Sequence, residues 1–556
     1  MKCHLLIYTV LLACLAVMVS CTKNFESYNT DPNKLNNDQS ALLAPTAINN
    51  MQRAIFGLGD GYQTQQNLGP DIWCGYSTST KFNNNQGNTL FYNLSPWTGS
   101  SFGAAYTNTI AYVRKMIQSN IMATAPEVYA VALIVQVEAM HRITDKFGPI
   151  PYSKAGTVLI NTPYDDQKTV YNTFFSQLDT ALNLLNNFYQ LPAQQQINRL
   201  GFSDLMLAGN YKQWIKYANS LRLRLAMHIA KVDPATAKLQ GEKALADPGG
   251  VLTNPGYPNG DDIAIKDAGI GLYVIVVSYT EDCQINATLA TYLTGYKDPR
   301  TAVYTVPADT AGRPGGGKAP AAVVGKTIGE RAGISIGNAY DQYHGLAGYN
   351  YKTAGVAANT YMYAMTAAEV WFLKAEAALR GWTGAGDAGT NYNTGIQTSM
   401  KQWHIDTQAT GPAMINDYLN NSTNTQSDYV DPINPAYNIK AMSKATIKWN
   451  EGADKEQKLE QIITQKWLAI FPEGMEAWTE YRRTGYPKIF PIAINQSNSG
   501  NGGPVSTDIQ IRRIPFLSTG EYTNNPESLP DAVKSFLGGA DNGSTRLWWD
   551  TGGPNF

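Results

Sequence analysis

Apolar residues recur every three or four positions over several long stretches of the chain, which is the spacing of one face of an α-helix. Four stretches show this pattern between polar positions, within 171–188, 213–233, 367–382 and 456–470. Their apolar stripes run through Phe174, Leu178, Leu182 and Leu185; Trp214, Ala218, Leu221, Leu225 and Ile229; Val370, Leu373 and Ala377; and Leu459, Ile463, Trp467 and Ile470. The pattern therefore predicts a scaffold that is mainly α-helical.

A fifth helix is predicted from residue 124 to residue 147 by signals at its two ends. Thr124 and Glu127 have the spacing of a capping box, and Pro126 stands where a missing N–H costs nothing. Gly148, followed by proline, marks the end of the helix.

Two stretches lack this periodicity. Residues 248–364 are rich in Gly, Pro, Asn and Tyr, and no sustained helix is expected there; the apolar run Leu272–Val277 is the clearest strand candidate. Residues 73–97 hold the polar tract NNNQGN between aromatic residues. Long irregular segments in compact proteins are usually functional or disordered, so we expect both stretches to lie on one face of the scaffold.

The first residues have the pattern of an export signal. One cation, Lys2, precedes an apolar run from Leu5 to Val19 that is shorter than the roughly 20 residues needed to span a bilayer. The following VMVSC resembles the lipobox of bacterial lipoproteins, with Cys21 as the lipidated residue. We therefore expect a signal peptide at 1–20, a flexible tether at 21–40, a lipid anchor in the outer membrane, and a single domain at 41–556 with irregular insertions near 73–97 and 248–364.

Composition narrows the function. The net charge of −1 offers no polyanion-binding surface, so we expect no nucleic-acid partner. Only 16% of residues are charged, whereas the chain holds 33 Tyr and 11 Trp, which favours neutral, hydroxyl-rich ligands. Histidine and cysteine spacings match no transition-metal motif, and neither a metal nor a cofactor is expected.

Two short strings and a set of carboxylates would also fit nucleotide binding or hydrolysis. The string GRPGGGKA fits a phosphate loop except that Ala319 replaces the hydroxyl that binds Mg²⁺. The string GISIG matches a nucleophile elbow with Ser335 at its centre, although a Gly-rich loop is the simpler interpretation. A glycoside hydrolase needs only two carboxylates. The candidates for such a pair are Asp261, Asp262, Glu281 and Asp282.

The aromatic residues of the two irregular stretches are the candidate ligand site. A sugar ring presents C–H groups to a flat aromatic ring and hydroxyls to amides and carboxylates, and both irregular stretches contain that mixture. Each aromatic residue taken alone is more often a core residue, so the clusters carry the hypothesis. The predicted ligand-binding residues are Trp73, Tyr76, Asn84, Trp97, Tyr273, Tyr279 and Tyr343.

Several strings along the chain together resemble the SusD/RagB family of nutrient-binding outer-membrane lipoproteins. They are NFESYNTDPN, RITDKFGPIPYSKA, WIKYANSLRLRLAMHIA, AAEVWFLKAEAALRGW, ITQKWLAIFPEGMEAWTEYRRTGYP and RRIPFLSTGEYTNNP. In YRRTGYP, Arg482 and Arg483 lie within sequence reach of Glu476 and Glu480, so we expect a satisfied ion-pair cluster there.

The resemblance implies a mainly α fold, with a tetratricopeptide-like helical scaffold, a large loop-rich ligand-facing region and few short strands. It also implies a protein that is not an enzyme, faces the cell exterior, binds oligosaccharides and delivers them as a lid to a SusC-type TonB-dependent transporter. The alternatives are an oligopeptide-binding member of the family, a secreted glycan- or ester-active hydrolase, and a structural scaffold or adhesin.

Overall fold

The computed structural model describes residues 37–57, 61–80, 96–157, 160–266, 271–309, 315–350, 361–507 and 510–556. The predicted leader, Cys21 and most of the predicted tether lie outside these residues, as does Asn84. The first helix begins at Asn37, just before the predicted start of the domain at residue 41.

Helices make up most of the described chain, which confirms the predicted fold class. In chain order they are α1 (Asn37–Phe56), α2 (Pro70–Trp73), α3 (Pro96–Ala105), α4 (Ala111–Gln118), α5 (Ile121–Thr124), α6 (Pro126–Phe147), α7 (Gln167–Gln190), α8 (Tyr211–His228), α9 (Pro234–Ala246), α10 (Ala287–Tyr296), α11 (Thr301–Tyr304), α12 (Tyr340–His344), α13 (Ala367–Leu379), α14 (Ala388–Gln402), α15 (Gly411–Leu419), α16 (Lys455–Ala469), α17 (Gly474–Thr484), α18 (Glu521–Asn524) and α19 (Ser528–Phe536).

The strands are short and pair two by two. They are β1 (Ser77–Thr78), β2 (Ile263–Lys266), β3 (Gln284–Ile285), β4 (Thr305–Val306), β5 (Gly348–Tyr349) and β6 (Tyr361–Met365). Among the described residues β1 pairs with β3, β2 with β6 and β4 with β5, all antiparallel. These ladders tie loops together on the helical scaffold.

Side-chain caps fix where several of the long helices begin. The carboxylate of Asp166 accepts a hydrogen bond from the Thr169 backbone N–H at 2.9 Å at the start of α7. Asp454 and Gln457 form a reciprocal capping box at the start of α16. At the end of α17, Gly485 takes the left-handed conformation with φ of 80°, which glycine adopts without a side-chain clash.

Neighbouring helices pack in pairs and bury the predicted apolar stripes. The pairs are α6 with α7, α8 with α9, and α13 with α14, and α16 packs on α13. Phe174, Leu178 and Leu185 of α7 are fully buried, as are Trp214 and Leu221 of α8. The stripes predicted from sequence are therefore confirmed as the seams of the helical scaffold.

The predicted cap at Thr124 is wrong. That residue ends the short helix α5, where its hydroxyl donates to the Ile121 carbonyl at 3.4 Å. Ala125 is the residue that precedes α6, and it makes no side-chain cap. Pro126 does occupy the first turn as predicted, and Gly148 ends the helix with φ of 94°. Thr124 belongs to the short helix α5, directly before α6, and therefore does not cap α6. The spacing of Thr124 and Glu127 alone does not reveal this extra helix.

The predicted strand at Leu272–Val277 is also wrong. The segment forms a single π-helical turn, Val274–Ser278, with Ile275 and Val276 buried. A short apolar run fits a buried helical turn as well as a strand, and periodicity does not separate the two. The same region also contains the ten-residue helix α10, capped by the Asn286 side chain, where no helix was expected.

Buried ion pairs join the paired helices at the centre of the scaffold. Arg224 donates to both carboxylate oxygens of Glu369, at 2.8 and 2.6 Å. Arg483 donates to both oxygens of Glu376, each at 2.7 Å. We call this set the ionic core; its members are Arg224, Glu369, Glu376, Lys466, Glu476, Glu480 and Arg483, all essentially buried.

The ion pairs predicted within YRRTGYP are confirmed for one arginine and wrong for the other. Arg483 pairs with Glu480 at 2.5 Å. The Arg482 guanidinium instead donates to the backbone carbonyls of Asp145, at 2.6 Å, and Arg512, at 2.8 Å. Successive residues on a helix point in different directions, so adjacent arginines meet different partners.

A hydrogen-bonded group around Asp145 adjoins the ionic core. The Asp145 carboxylate accepts from the hydroxyl of Tyr171 at 2.7 Å and from the indole N–H of Trp549 at 2.8 Å. Its other oxygen lies 3.2 Å from His141 and 3.5 Å from His228. These contacts fasten the C-terminal segment to α6, α7 and α8.

Candidate functional site

The pairing of β1 with β3 joins the two stretches that the sequence marks as irregular. Ser77 lies opposite Ile285 in this ladder. Asn286 extends the join, since its backbone N–H donates to the Tyr76 carbonyl at 3.0 Å and its side-chain amide donates to the Ser77 carbonyl at 3.2 Å. We call the region formed by 271–286 and 330–350, together with the buried residues 76–80 that join it to the scaffold, the loop face.

A chain of polar side chains supports the loop face from beneath. The Thr80 hydroxyl bonds to Gln284 and to the carboxylate of Glu330. The Gln284 side-chain amide donates to the Glu281 carbonyl at 2.7 Å and contacts a ring nitrogen of His344 at 3.1 Å. All five residues are buried. The loops are thus held to each other by side-chain hydrogen bonds.

Tyr340 is a partly exposed aromatic ring on this face that sequence reasoning missed. Its ring stacks on His344 with centroids 5.2 Å apart and planes at 15°. Burial raises the pKa of Tyr340, so its hydroxyl stays protonated at neutral pH and can donate to a ligand. Tyr340 and Tyr343 stand close together in the same string, and no pattern tells which of them points outward.

Three of the predicted ligand residues pack in the core. Trp73 is 1% exposed with its ring centroid 4.7 Å from that of Trp478. Tyr76 is 0% exposed, donates to the Trp467 carbonyl, and stacks on that indole at 5.1 Å. In these positions neither ring offers a face to a ligand, which is the ordinary role of a core aromatic residue.

Tyr343, the third, is 1% exposed, and its hydroxyl donates to the carboxylate of Asp431 at 3.1 Å. Burial and that carboxylate raise the pKa of the Tyr343 hydroxyl, so it remains a donor. Its position is that of a buried residue that anchors the loop beneath Tyr340.

Tyr273 and Tyr279 are half-buried and flank the π-helical turn Val274–Ser278 on the loop face. The chain then folds back, so that the Asp282 backbone N–H donates to the Ile275 carbonyl at 3.2 Å. The backbone of Asp282, which is 5% exposed, therefore lies against the turn that the two tyrosines flank. The side chain of Trp97 lies outside the described residues; its backbone belongs to α3.

The turn that carries Tyr279 has an unusual backbone. Thr280 and Glu281 follow one another with φ of 56° and 57°, in the left-handed region that non-glycine residues rarely adopt. Each such residue costs about 1 kcal/mol. Asp282, directly after them, accepts from the side-chain amide of Gln63 at 2.9 Å. Strain held by surrounding contacts in this way is typical of functional sites.

The first carboxylate candidates for hydrolysis have structural roles. Asp261 pairs with Lys216 at 2.9 Å and accepts backbone N–H groups of the loop that precedes it. Asp262 accepts the backbone N–H groups of Gly256 and Ala367, both at 2.7 Å. Burial raises the pKa of Asp262 to about 6. Asp261 fastens this loop to α8 and Asp262 fastens it to α13.

The string GISIG does not form a nucleophile elbow. An elbow requires a strand, a sharp turn and a helix that starts at the nucleophile. Here exposed Ser335 lies in irregular chain, and its backbone N–H donates to the Tyr437 hydroxyl at 3.2 Å. The next helix, α12, begins only at Tyr340. The structure therefore places Ser335 in a surface loop.

Two sets of described side chains approach closely enough to hold a metal ion, His141 with Asp145 and His228, and His228 with Glu476 and Glu480. The first set adjoins the ionic core and the second shares Glu476 and Glu480 with it, and the Lys466 ammonium lies 2.7 Å from Glu476. A cation bound there would meet this fixed positive charge, so we assign both sets to the packing of the scaffold.

The stacked helix pairs with an irregular face define a tetratricopeptide-like helical protein. The family model described as SusD-like, the SusD and RagB outer membrane lipoproteins, matches residues 24–550. The chain belongs to this family, which confirms the resemblance seen in the sequence. A search of curated proteins found no match. Among the described residues, the helices are all too short or too polar to cross a membrane.

Solved structures agree over nearly the whole chain. A structure described as a chitin-binding SusD homolog from Flavobacterium johnsoniae is 35% identical, with 93% of this chain and 100% of that chain covered and a TM-score of 0.80. A SusD homolog from Bacteroides vulgatus is also 35% identical, covering 92% and 98%, with a TM-score of 0.79. One from Bacteroides uniformis is 33% identical, covering 92% and 99%, with a TM-score of 0.74.

Proposed function

We propose that this protein binds oligosaccharides of β-linked N-acetylglucosamine on the loop face. The observation that carries the proposal is the likeness, across 93% of this chain and the whole of the other, to a relative described as chitin-binding. The loop face supports it with partly exposed rings at Tyr273, Tyr279 and Tyr340. Aromatic rings suit the C–H faces of such sugars, and neighbouring amides and carboxylates suit their hydroxyl and acetamido groups.

The carboxylate and the amide of the proposed site lie in one place. Asp282 and Gln63 form a hydrogen-bonded pair beside the turn that Tyr273 and Tyr279 flank. A carboxylate accepts from sugar hydroxyls and an amide both donates and accepts, so the pair can orient a ring held between aromatic side chains. We assign Asp282 this binding role, and we infer that the protein is a binder without catalytic function.

The binding test uses the purified protein and isothermal titration calorimetry with chitohexaose. We expect saturable binding of chitohexaose, and much weaker binding of cellohexaose, which lacks the acetamido groups, and of a mixed oligopeptide library. Binding of the peptides alone would contradict the proposal and favour the oligopeptide alternative. Release of shorter sugars from chitohexaose would contradict the assignment as a non-enzyme.

Site variants locate the binding. Tyr273→Ala and Tyr279→Ala should each weaken binding about 5- to 150-fold, since a stacked aromatic contact is worth about 1–3 kcal/mol. Tyr189→Ala serves as the matched control, because this half-buried tyrosine lies on α7 and forms no part of the loop face. If all three variants bind chitohexaose as tightly as the wild type, the binding site does not lie on the loop face.

We further propose that the protein is anchored through Cys21, faces the cell exterior and passes its ligand to a SusC-type TonB-dependent transporter. Tethering a binder beside a transporter raises the local ligand concentration even at modest affinity. Affinity purification of the tagged protein from detergent-solubilised outer membranes should recover the transporter. Cys21→Ala should release the protein from the membrane fraction; retention there would contradict lipidation at this residue.

A further inference from the structure

A cleft lies at the end of α17, and its lining includes none of the tyrosines of the loop face. It has a volume of about 430 Å³, within the usual range of about 300–1,000 Å³ for small-molecule sites. Its walls come from the end of α17, from the chain that follows it, and from the C-terminal segment. We call it the basic cleft because its lining includes the cations Lys231, Arg482, Arg483, Lys488, Arg512 and Arg546, and no described Asp or Glu.

Carboxylates behind the wall only partly neutralise these cations. Arg512 and Arg546 share one carboxylate, that of Asp550, with contacts of 2.7 and 2.5 Å. Arg483 pairs with Glu376 and Glu480, but Glu376 also pairs with Arg380 at 2.8 Å and Glu480 lies 3.5 Å from the Lys466 ammonium. The shared carboxylates leave the wall with an excess of positive charge.

Two further cations of the wall are held by neutral oxygens. The Lys231 ammonium donates to the carbonyls of Arg483, Gly552 and Gly553, at 3.2, 2.9 and 3.4 Å. Burial, together with the charge of Arg483, lowers the pKa of Lys231 to about 8. Burial also lowers the pKa of Arg482, which donates to backbone carbonyls, to about 9. An anion in the cleft would stabilise both charges.

The wall also contains a buried acceptor without a donor. Gln510 is 3% exposed and lines the basic cleft, and its Oε1 atom has no hydrogen-bond partner among the residues that the structure describes. Its φ of 58° places it in the left-handed region, so the surrounding chain holds it there despite strain. A buried amide oxygen calls for a donor, which a ligand hydroxyl supplies.

Apolar groups complete the lining. Tyr481, which is 8% exposed, lies among the cations, and Met442, Ile489 and Pro491 add apolar surface. The lining therefore combines positive charge, an amide acceptor and contact surface for C–H groups. A simple inorganic anion uses only the first of these.

We propose that the basic cleft binds hydroxylated carboxylates with the size of one or two sugar rings, of which a uronic acid is the type. The carboxylate would meet guanidinium and ammonium donors, which bind such groups through charge-assisted hydrogen bonds. Ring hydroxyls would donate to Gln510, and ring C–H groups would contact Tyr481 and Ile489. The inference goes beyond the proposed chitin-type ligand, because the two sites use different residues and ligands of different charge.

The test measures binding of glucuronate and galacturonate to the purified protein by calorimetry or ligand-observed NMR. We expect saturable binding of at least one uronate that weakens as salt is added. Glucose, which lacks the carboxylate, should not bind, and acetate, sulfate and phosphate should bind at least tenfold more weakly. Absence of uronate binding, or equal binding of the simple anions, would overturn the proposal.

Variants place the uronate in the cleft. Lys488→Ala and Arg546→Ala should each weaken uronate binding about tenfold, and Gln510→Leu should weaken uronate binding more than acetate binding. Lys440→Ala is the matched control, since exposed Lys440 pairs with Asp428 and does not line the cleft. Thermal melts verify that each variant folds. Unchanged uronate affinity in Lys488→Ala and Arg546→Ala would overturn the assignment.

The uronate titration is independent of the chitohexaose titration. The uronate affinity of each cleft variant is compared only with that of the wild-type protein and of the Lys440→Ala control. A failure of chitohexaose to bind would refute the function proposed for the loop face and leave the uronate result standing.

Discussion

The ionic core and the loop face hold their parts together by different means. In the ionic core, rigid helices carry charged groups that meet in bidentate pairs, such as Arg224 with Glu369. In the loop face, two-residue strands and neutral hydrogen bonds such as Thr80 with Gln284 connect irregular chain. The comparison teaches that the charged pairs of the scaffold and the proposed ligand contacts belong to separate regions of one chain.

The largest expected effect comes from breaking the ionic core. Arg224→Met leaves the carboxylate of Glu369 buried without this partner and should cost about 3–5 kcal/mol of unfolding free energy, measured by urea denaturation. The matched control is Lys440→Met, which breaks the exposed pair with Asp428 at 2.7 Å and should leave the urea midpoint unchanged. Equal midpoints for the two variants would contradict the structural role of the ionic core.

Trp73 tests whether a predicted ligand residue belongs to the core or to the face. Trp73→Ala removes the ring packed on Trp478 and should cost about 3–5 kcal/mol in unfolding free energy. The milder Trp73→Phe should fold and bind chitohexaose like the wild type. Full stability together with lost affinity in Trp73→Phe would place this ring at the ligand.

The charge of His228 makes part of the stability depend on pH. Burial alone would lower its pKa, but the carboxylates of Glu476 and Asp145 overcome this and raise it to about 9, above the ordinary value of 6.5. The folded state therefore gains from protonated His228 below pH 6.5 and loses that gain as pH rises through 9. Urea denaturation of the wild type should therefore give a lower unfolding free energy at pH 9.5 than at pH 6.

His228→Gln is the comparison for this measurement. It removes the titrating group, so its unfolding free energy should fall less between the two pH values than that of the wild type. An equal fall in both proteins would assign the pH dependence to other groups, such as His141, whose pKa is also raised where its contacts with Glu138 and Asp145 outweigh burial.

The smallest effect on stability is expected at Tyr340. Tyr340→Ala removes a half-buried ring from the loop face and should weaken chitohexaose binding about 5- to 30-fold with little change in the thermal midpoint. Tyr340→Phe keeps the stacking on His344 and should keep most of the affinity. A large loss of stability in Tyr340→Ala would show that this ring supports the scaffold.

The sequence predicts the helical part of this protein well because one physical signal dominates there. An apolar stripe such as Phe174 to Leu185 has to be buried, and the structure buries it. The strand prediction for Leu272–Val277 was wrong because a short apolar run can be buried either as a strand or as a helical turn. The ion-pair prediction was wrong for Arg482 because its acceptors, the carbonyls of Asp145 and Arg512, lie far away along the chain, whereas Arg483 meets Glu480 three residues before it.

The candidate site could be predicted only as a region. Sequence located the two irregular stretches, and the β1–β3 pairing joins them. It could not tell that Trp73, Tyr76 and Tyr343 turn inward while Tyr340 turns outward, because composition is the same whichever way a ring points. Side-chain direction in loops depends on long-range contacts such as Tyr343 with Asp431.

The join between Ser77 and Asn286 also has a consequence for the order of folding. The two residues are 209 positions apart in sequence, so the chain between them has to be closed before their hydrogen bond can form. Local helix pairs such as α6 with α7 close far shorter loops and gain contacts early. The ligand surface is therefore expected to be assembled last, on helices that have already folded.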